Sequence, residues 1–221
     1  MQRIKAVIFD MDGVIFDSES VWKILFEIAN KKYGLALTEE YRKSICGKNE
    51  LLIRQELKEI LPGTDVDEYR DFIITGVREW IEKGCFEVKP GFMQLMDYLK
   101  KMGCKIALAT SSEQKRAEQM FNVKGLDCTT LFDTCVFGND VGIKCKLDPY
   151  IFTLAADRLC INPCECVVIE DSINGIQAAV NGGFIPVMAV DLIEPDSFCY
   201  EKCSCIIRSL EEFNLYIGEL K

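Results

Sequence analysis

Asp10 and Asp12 stand two residues apart at the end of the apolar run Ala6-Val7-Ile8-Phe9, with Gly13 next. Side chains two apart on a strand point the same way, so a strand continuing through this stretch puts both carboxylates on one side of its tip. Two converging carboxylates suit a hard cation such as Mg2+, and Gly13 lets the backbone turn and a ligand approach. Thr110-Ser111-Ser112 follow a second apolar run, Ile106–Ala109, and start a helix, whose free N–H groups and dipole suit phosphate. Lys144, with Lys146 beside it, lies in a loop before Asp148-Pro149-Tyr150. Glu170 and Asp171 close a third run, Val167-Val168-Ile169. Taken singly, each cluster also has a plain reading: an Asp-Gly turn, hydroxyl helix caps, a solvated lysine, an acidic helix start.

The elements that must position these residues follow from periodicity. Ala6–Phe9 reads as a strand buried on both faces, as in a parallel sheet. From Ser18 the pattern turns helical, with Val21, Leu25, Ile28 and Ala29 on one face and Gly34 as a stop. Thr38 caps a second helix, Leu51–Ile60 form a third before Pro62-Gly63, and a fourth runs from about Asp67 to Lys83. This all-helical block reads as a small cap inserted after the first strand. Ile15-Phe16-Asp17 and Glu87-Val88-Lys89 are the expected hinge strands. Beyond them strands alternate with helices: Phe92–Met102, strand Lys105–Ala109, Gln114–Phe121, strand Thr134–Phe137, Pro149–Leu159, strand Cys166–Ile169, Ile173–Asn181, strand Ile185–Val190 and a covering helix Leu210–Leu220. The expected fold is α/β, a doubly wound, Rossmann-like parallel sheet. Its core comprises residues 1–16 and 88–221, and the helical cap 17–87.

Composition narrows the function. The 221 residues carry a net charge of −9, which argues against a nucleic-acid or anionic-membrane surface. No run approaches the roughly 18 apolar residues of a membrane span, and a strand begins at once where a signal peptide would lie; the expectation is a cytoplasmic protein, with a monomer as the default. There is no histidine, which removes Ser-His and Cys-His triads and leaves acid–base work to carboxylate, lysine, tyrosine or cysteine. The twelve cysteines read as reduced thiols, with Cys104, Cys135 and Cys160 as small buried hydrophobes. Cys164/Cys166 and Cys203/Cys205 are spaced too closely for usual zinc ligation.

Phe9-Asp10-Met11-Asp12-Gly13-Val14, with Phe16-Asp17-Ser18-Glu19, resembles the first motif of haloacid-dehalogenase-type phosphotransferases. It is most similar to the branch of β-phosphoglucomutase and small sugar-phosphate phosphatases. Thr110 matches the hydroxyl of the second motif. The stretch Gly142 to Tyr150 resembles the third, with Lys144 as its lysine, although Cys145 and Leu147 replace both flanking prolines. Glu170-Asp171-Ser172-Ile173-Asn174-Gly175 matches the acidic fourth motif without a gap. The resemblance covers Arg3 to about Val190, in family order.

The resemblance implies a mechanism. Asp10 is the nucleophile that forms an aspartyl-phosphate. Asp12 is general acid and then general base. Mg2+ is held by the Asp10 carboxylate, the Asp12 backbone carbonyl and Asp171, with Glu170 bound directly or through water. Thr110, the Ser111 amide and Lys144 bind the phosphoryl group, and Lys144 offsets the crowding of negative charge. Cap residues near Gly47 and Lys48 contact the leaving group. The expected function is Mg2+-dependent hydrolysis of a small phosphate ester, most simply a sugar phosphate. A β-phosphoglucomutase is the alternative, but the mutase pattern has an arginine where this chain has Glu50, lysine where it has Cys46 and histidine where it has Trp22. Lys48 or Arg54 are the candidate substitutes for the missing cations. Dehalogenases generally lack an aspartate at the Asp12 position. A non-catalytic phosphate-binding module is the reading from another class; it predicts losses among the carboxylates or Lys144, and none is found.

Overall fold

A computed structural model describes residues 4–45, 50–141 and 148–217. Six strands, β1 (Ala6–Phe9), β2 (Lys105–Ala109), β3 (Thr134–Val136), β4 (Cys166–Glu170), β5 (Ile185–Ala189) and β6 (Cys205–Ile207), form one sheet in the order β3-β2-β1-β4-β5-β6. Every neighbouring pair is parallel. The order runs outward in both directions from β1, so β1 marks the topological switch, where open α/β sheets hold their ligands. Five of the strands lie where the apolar runs place them. The sixth, Cys205–Ile207, is a three-residue strand bounded by polar Ser204 and Arg208.

The described chain divides into two compact units, residues 1–17 with 87–221 and residues 18–86. The second is all helical: α1 (Glu19–Tyr33), α2 (Glu39–Ile45), α3 (Glu50–Ile60) and α4 (Val66–Glu82). Gly34 ends α1 in the left-handed conformation, Thr38 Oγ1 accepts from the Tyr41 N–H and the Asp65 carboxylate accepts from the Glu68 N–H at the start of α4. Tyr69 of α4 donates from its hydroxyl to Asn30 Oδ1 of α1 at 3.0 Å. Its ring packs edge-on against Tyr33.

Three arginines of this unit are drawn into acid networks. Buried Arg42 pairs with Glu39 and Glu19. Arg54 meets Glu50, Asp67 and Asp71 at 3.0, 3.0 and 2.6 Å. Buried Arg70 takes both oxygens of Glu50.

In the other unit, α5 (Phe92–Lys101), α6 (Gln114–Val123), α7 (Cys128–Leu131), α8 (Gly138–Val141), α9 (Tyr150–Leu159), α10 (Ile173–Asn181), α11 (Ser197–Lys202) and α12 (Leu210–Ile217) connect and flank the strands. Residues two apart on a strand share a face, and the sheet obeys this. Ala6, Ile8, Ala107, Ala109 and Val168 pack with Ile151, Phe152, Ala155, Ala178 and Ala179 from α9 and α10. Phe9 points the other way, its ring 5.9 Å from Phe92 of α5 and 6.4 Å from Phe132. Phe121 of α6 extends this aromatic group to Phe16, at 4.8 Å. Phe9 and Phe16 flank the loop that carries Asp10 and Asp12, so these rings anchor both of its ends. Phe121 is fully buried. Phe121→Ala is therefore expected to cost about 3–5 kcal/mol, read as a fall in the urea midpoint with an unchanged slope.

The two expected hinge strands reduce to one antiparallel bridge, Phe16 to Val88. Two backbone bonds flank it, Asp17 N–H to the Glu87 carbonyl and Lys89 N–H to the Ile15 carbonyl. Lys89 Nζ also reaches Asp191 Oδ1, beyond β5, at 2.5 Å. No helix among the described residues is long and apolar enough to cross a membrane.

The cysteines with described surroundings are free thiols. Burial pushes Cys135 and Cys166 up to about 12, which keeps them protonated. Cys104 is buried as expected, Cys135 is half-buried and Cys160 is exposed. Cys160 differs because it ends α9 in the left-handed conformation, at φ 57°, a position on the surface rather than in the core.

Candidate active site

The sheet register brings the chemical residues together. Phe9 pairs with Leu108 of β2 and Ile169 of β4, so Asp10, Thr110 and Glu170 leave neighbouring strand tips. The Asp10 N–H donates to the Ile169 carbonyl at 3.0 Å, and the Thr110 N–H to the Val136 carbonyl at 3.0 Å. These bonds carry the ladder past the last strand residues and fix where both side chains start.

Asp10, Glu170 and Asp171 each offer a carboxylate oxygen, and the three oxygens lie within 4.8 Å of one another. Asp10 and Glu170 are buried and Asp171 is half-buried. Three carboxylates gathered in this way repel one another, and a divalent cation between them relieves the repulsion. All the donors are hard oxygen, which suits Mg2+ and not a soft metal.

Two glycines leave room for the group. A Cβ on Gly13 would lie 2.2 Å from Asp171 Oδ2, and Gly13 has φ +79°. A Cβ on Gly175 would lie 2.0 Å from the Glu170 carboxyl carbon. Glu170 is also oriented: its Oε2 accepts from the Ser172 N–H at 2.6 Å and the Ser172 hydroxyl at 2.8 Å. The cradle fits a hard divalent cation held by Asp10, Glu170 and Asp171.

Gly175 lies inside a helix, where Ala is ordinarily favoured by about 1 kcal/mol. Gly175→Ala is nevertheless expected to weaken the binding of a divalent cation roughly tenfold, because the methyl displaces Glu170. A magnesium titration of both proteins checks it.

Asp12 departs from the expectation of two converging carboxylates. Regular strand geometry ends at Phe9, the chain turns through Gly13, and the Asp12 carboxylate is not part of the acidic group. It faces α6 instead. Arg116 donates from Nη1 to Oδ2 and from Nη2 to Oδ1, each at 2.9 Å, and the Ser112 hydroxyl donates to Oδ2 at 3.0 Å. Arg116 Nη1 also contacts Ser112 Oγ. The two aspartates thus have separate settings, one among acids and one against a guanidinium.

Thr110 is buried, and its Oγ1 accepts from the Ser112 N–H at 3.1 Å. The Ser111–Ser112 backbone is pressed on α8: the Gly138 N–H donates to the Ser112 carbonyl at 2.9 Å, and a Cβ on Gly138 would lie 2.3 Å from the Ser111 carbonyl. Asn139 Oδ1 accepts from the Gln114 N–H at 3.0 Å, fixing the start of α6. Lys144 and its neighbour Lys146 lie outside the described residues, as do Gly47, Lys48 and Cys46. Arg116 is the residue that the sequence did not mark.

The family model described as haloacid dehalogenase-like hydrolase matches residues 4–183. A phosphorylated carbohydrates phosphatase of Thermotoga maritima is 32% identical over 190 residues, 85% of each chain. A Thermotoga maritima crystal structure carried under a provisional β-phosphoglucomutase name has a TM-score of 0.79 at 28% identity, covering 99% of this chain and 100% of the other. A hydrolase of the same family from Deinococcus radiodurans, with bound phosphate and sodium, shares the fold at a TM-score of 0.83 and 23% identity, over 99% and 97% of the two chains.

Proposed function

This chain belongs to the haloacid dehalogenase-like hydrolases, and from that we propose that it is a Mg2+-dependent phosphatase of small phosphorylated carbohydrates, working through an aspartyl-phosphate on Asp10. The observation that carries the reading is the separation of the two aspartates. Asp10 lies with Glu170 and Asp171, where a cation fits, while Asp12 is held apart by Arg116 and Ser112. The 85% overlap with a phosphatase of phosphorylated carbohydrates supports the substrate class.

In this reading an Asp10 carboxylate oxygen attacks phosphorus and the bond to the ester oxygen breaks. Asp12 gives its proton to the departing oxygen. Water then attacks the aspartyl-phosphate, its proton passes to Asp12, and the Asp10 carboxylate is regenerated with inorganic phosphate. Asp10, Glu170, Asp171 and the Asp12 carbonyl would hold Mg2+, which when bound would supply charge neutralisation for the phosphoryl group. Thr110, the Ser111 amide and Lys144 bind the phosphoryl oxygens. The helical unit acts as the substrate-selecting cap, with Gly47 and Lys48 near the leaving group.

The β-phosphoglucomutase reading is second, favoured by the 28% identical structure under that name. A mutase must hold a bisphosphate and needs a second cationic site. Arg54, one candidate for it, is already paired with Glu50, Asp67 and Asp71, and Glu50 itself stands where the mutase pattern has arginine. Incubation with a panel of sugar phosphates, with and without Mg2+, tests the choice. Release of phosphate that requires Mg2+ is the expected result. Conversion of β-glucose 1-phosphate to the 6-phosphate, primed by the bisphosphate and without net release, would replace the phosphatase by the mutase. Binding without turnover of any ester would favour the non-catalytic module.

A further inference from the structure

We propose that Arg116 is the positioning residue that sets Asp12 for the water-activating half of the reaction; the inference rests on the phosphatase reading above. The guanidinium meets both oxygens of one carboxylate, at 2.9 Å each. A planar fork on a planar carboxylate fixes the orientation of the carboxylate as well as its distance. The supports are rigid. Arg116 lies near the start of α6, whose first N–H is capped by Asn139. Ser112 donates to the same carboxylate from a backbone braced on Gly138.

In the second half of the reaction Asp12 takes a proton from water while the water oxygen bonds to phosphorus and the phosphorus–Asp10 bond breaks. That transfer needs the Asp12 carboxylate turned towards the water, and a misplacement of about 1 Å costs on the order of a hundredfold in rate. The two-point contact with Arg116, with Ser112 on the same oxygen, fixes that turn. With a leaving group that needs no proton, the orientation of Asp12 bears on this second half alone. A purely structural brace is a poor explanation: the Arg116 side chain is 36% exposed, and ion pairs at such positions add little stability.

The test uses the full chain with Mg2+ and radiolabelled p-nitrophenyl phosphate, whose phenolate leaves without needing a proton. Acid quenching in the steady state counts the labelled enzyme. Arg116→Ala is expected to lower kcat roughly ten- to hundredfold and KM in proportion, leaving kcat/KM near the wild-type value, with the labelled fraction rising towards full occupancy. Arg116→Lys falls between the two, and added guanidinium salt recovers part of the Arg116→Ala rate. A fall in kcat/KM with no rise in label, or an unchanged kcat, overturns the proposal. Should Arg116→Ala not fold, the same split read on Arg116→Lys decides. Phosphate release that persists in Asp10→Asn would overturn the phosphatase reading itself; an Asp10-dependent enzyme indifferent to Arg116 would overturn this inference alone.

Discussion

Asp10→Asn is expected to abolish Mg2+-dependent phosphate release, by roughly 10³-fold or more, without destabilising the protein. The amide keeps the shape of the side chain but is no nucleophile. The stability half of the prediction follows from the acidic group. Asp10, Glu170 and Asp171 present oxygens within 4.8 Å of one another, and without a cation their charges repel. Neutralising one relieves that repulsion, so in a chelating buffer the variant melts at the wild-type temperature or above it. Thermal denaturation followed by circular dichroism checks this beside the phosphate assay. A variant that keeps its turnover would remove Asp10 as nucleophile; one that loses turnover together with its fold would leave the carboxylate a structural group.

The second large effect belongs to Asp171. Asp171→Ala removes one of the three carboxylate donors, and its expected signature is a Mg2+ requirement raised at least about tenfold. A second readout needs no substrate. A cation that binds the folded chain alone stabilises it by about 2.7 kcal/mol at a hundred times its Kd. Wild type should therefore gain melting temperature on addition of Mg2+, and Asp171→Ala should gain far less at the same concentration. An equal gain in both proteins would place the cation elsewhere. Gly13 belongs to the same prediction, since any side chain there meets Asp171 Oδ2.

Much of this site is legible in the sequence because buried strands end on polar residues. Ala6–Phe9, Ile106–Ala109 and Cys166–Ile169 are buried apolar runs, and the polar residues that follow them break the pattern that a core demands. Asp10, Thr110 and Asp171 stand out for that reason, and the parallel order brings them together. The orientation of Asp12 was not legible. The two-residue spacing predicts convergence with Asp10 only while strand geometry lasts, and it ends at Phe9. Arg116 was hidden for a different reason. It is one of several charged residues on α6, beside Lys115 and Glu118, and it meets Asp12 from 104 positions away. Which of these charges reaches the site depends on how α6 is set beside the loop after β1, through Phe121 against Phe16, and no local pattern records that. The short strand Cys205–Ile207 escaped because polar Ser204 and Arg208 bound it closely, whereas the equally short Thr134–Val136 runs on into apolar Phe137, and Cys160 because a left-handed helix end more often carries glycine.

The most direct test of the account is to trap the phosphoryl group on the enzyme. Wild type is mixed with a radiolabelled sugar phosphate and Mg2+, quenched in acid, digested and mapped. The expected result is an acid-stable, base-labile label on the peptide containing Asp10, absent when Mg2+ is chelated and absent in Asp10→Asn. Label on any other residue, or Mg2+-dependent turnover with no covalent label under conditions that slow the second step, would contradict it.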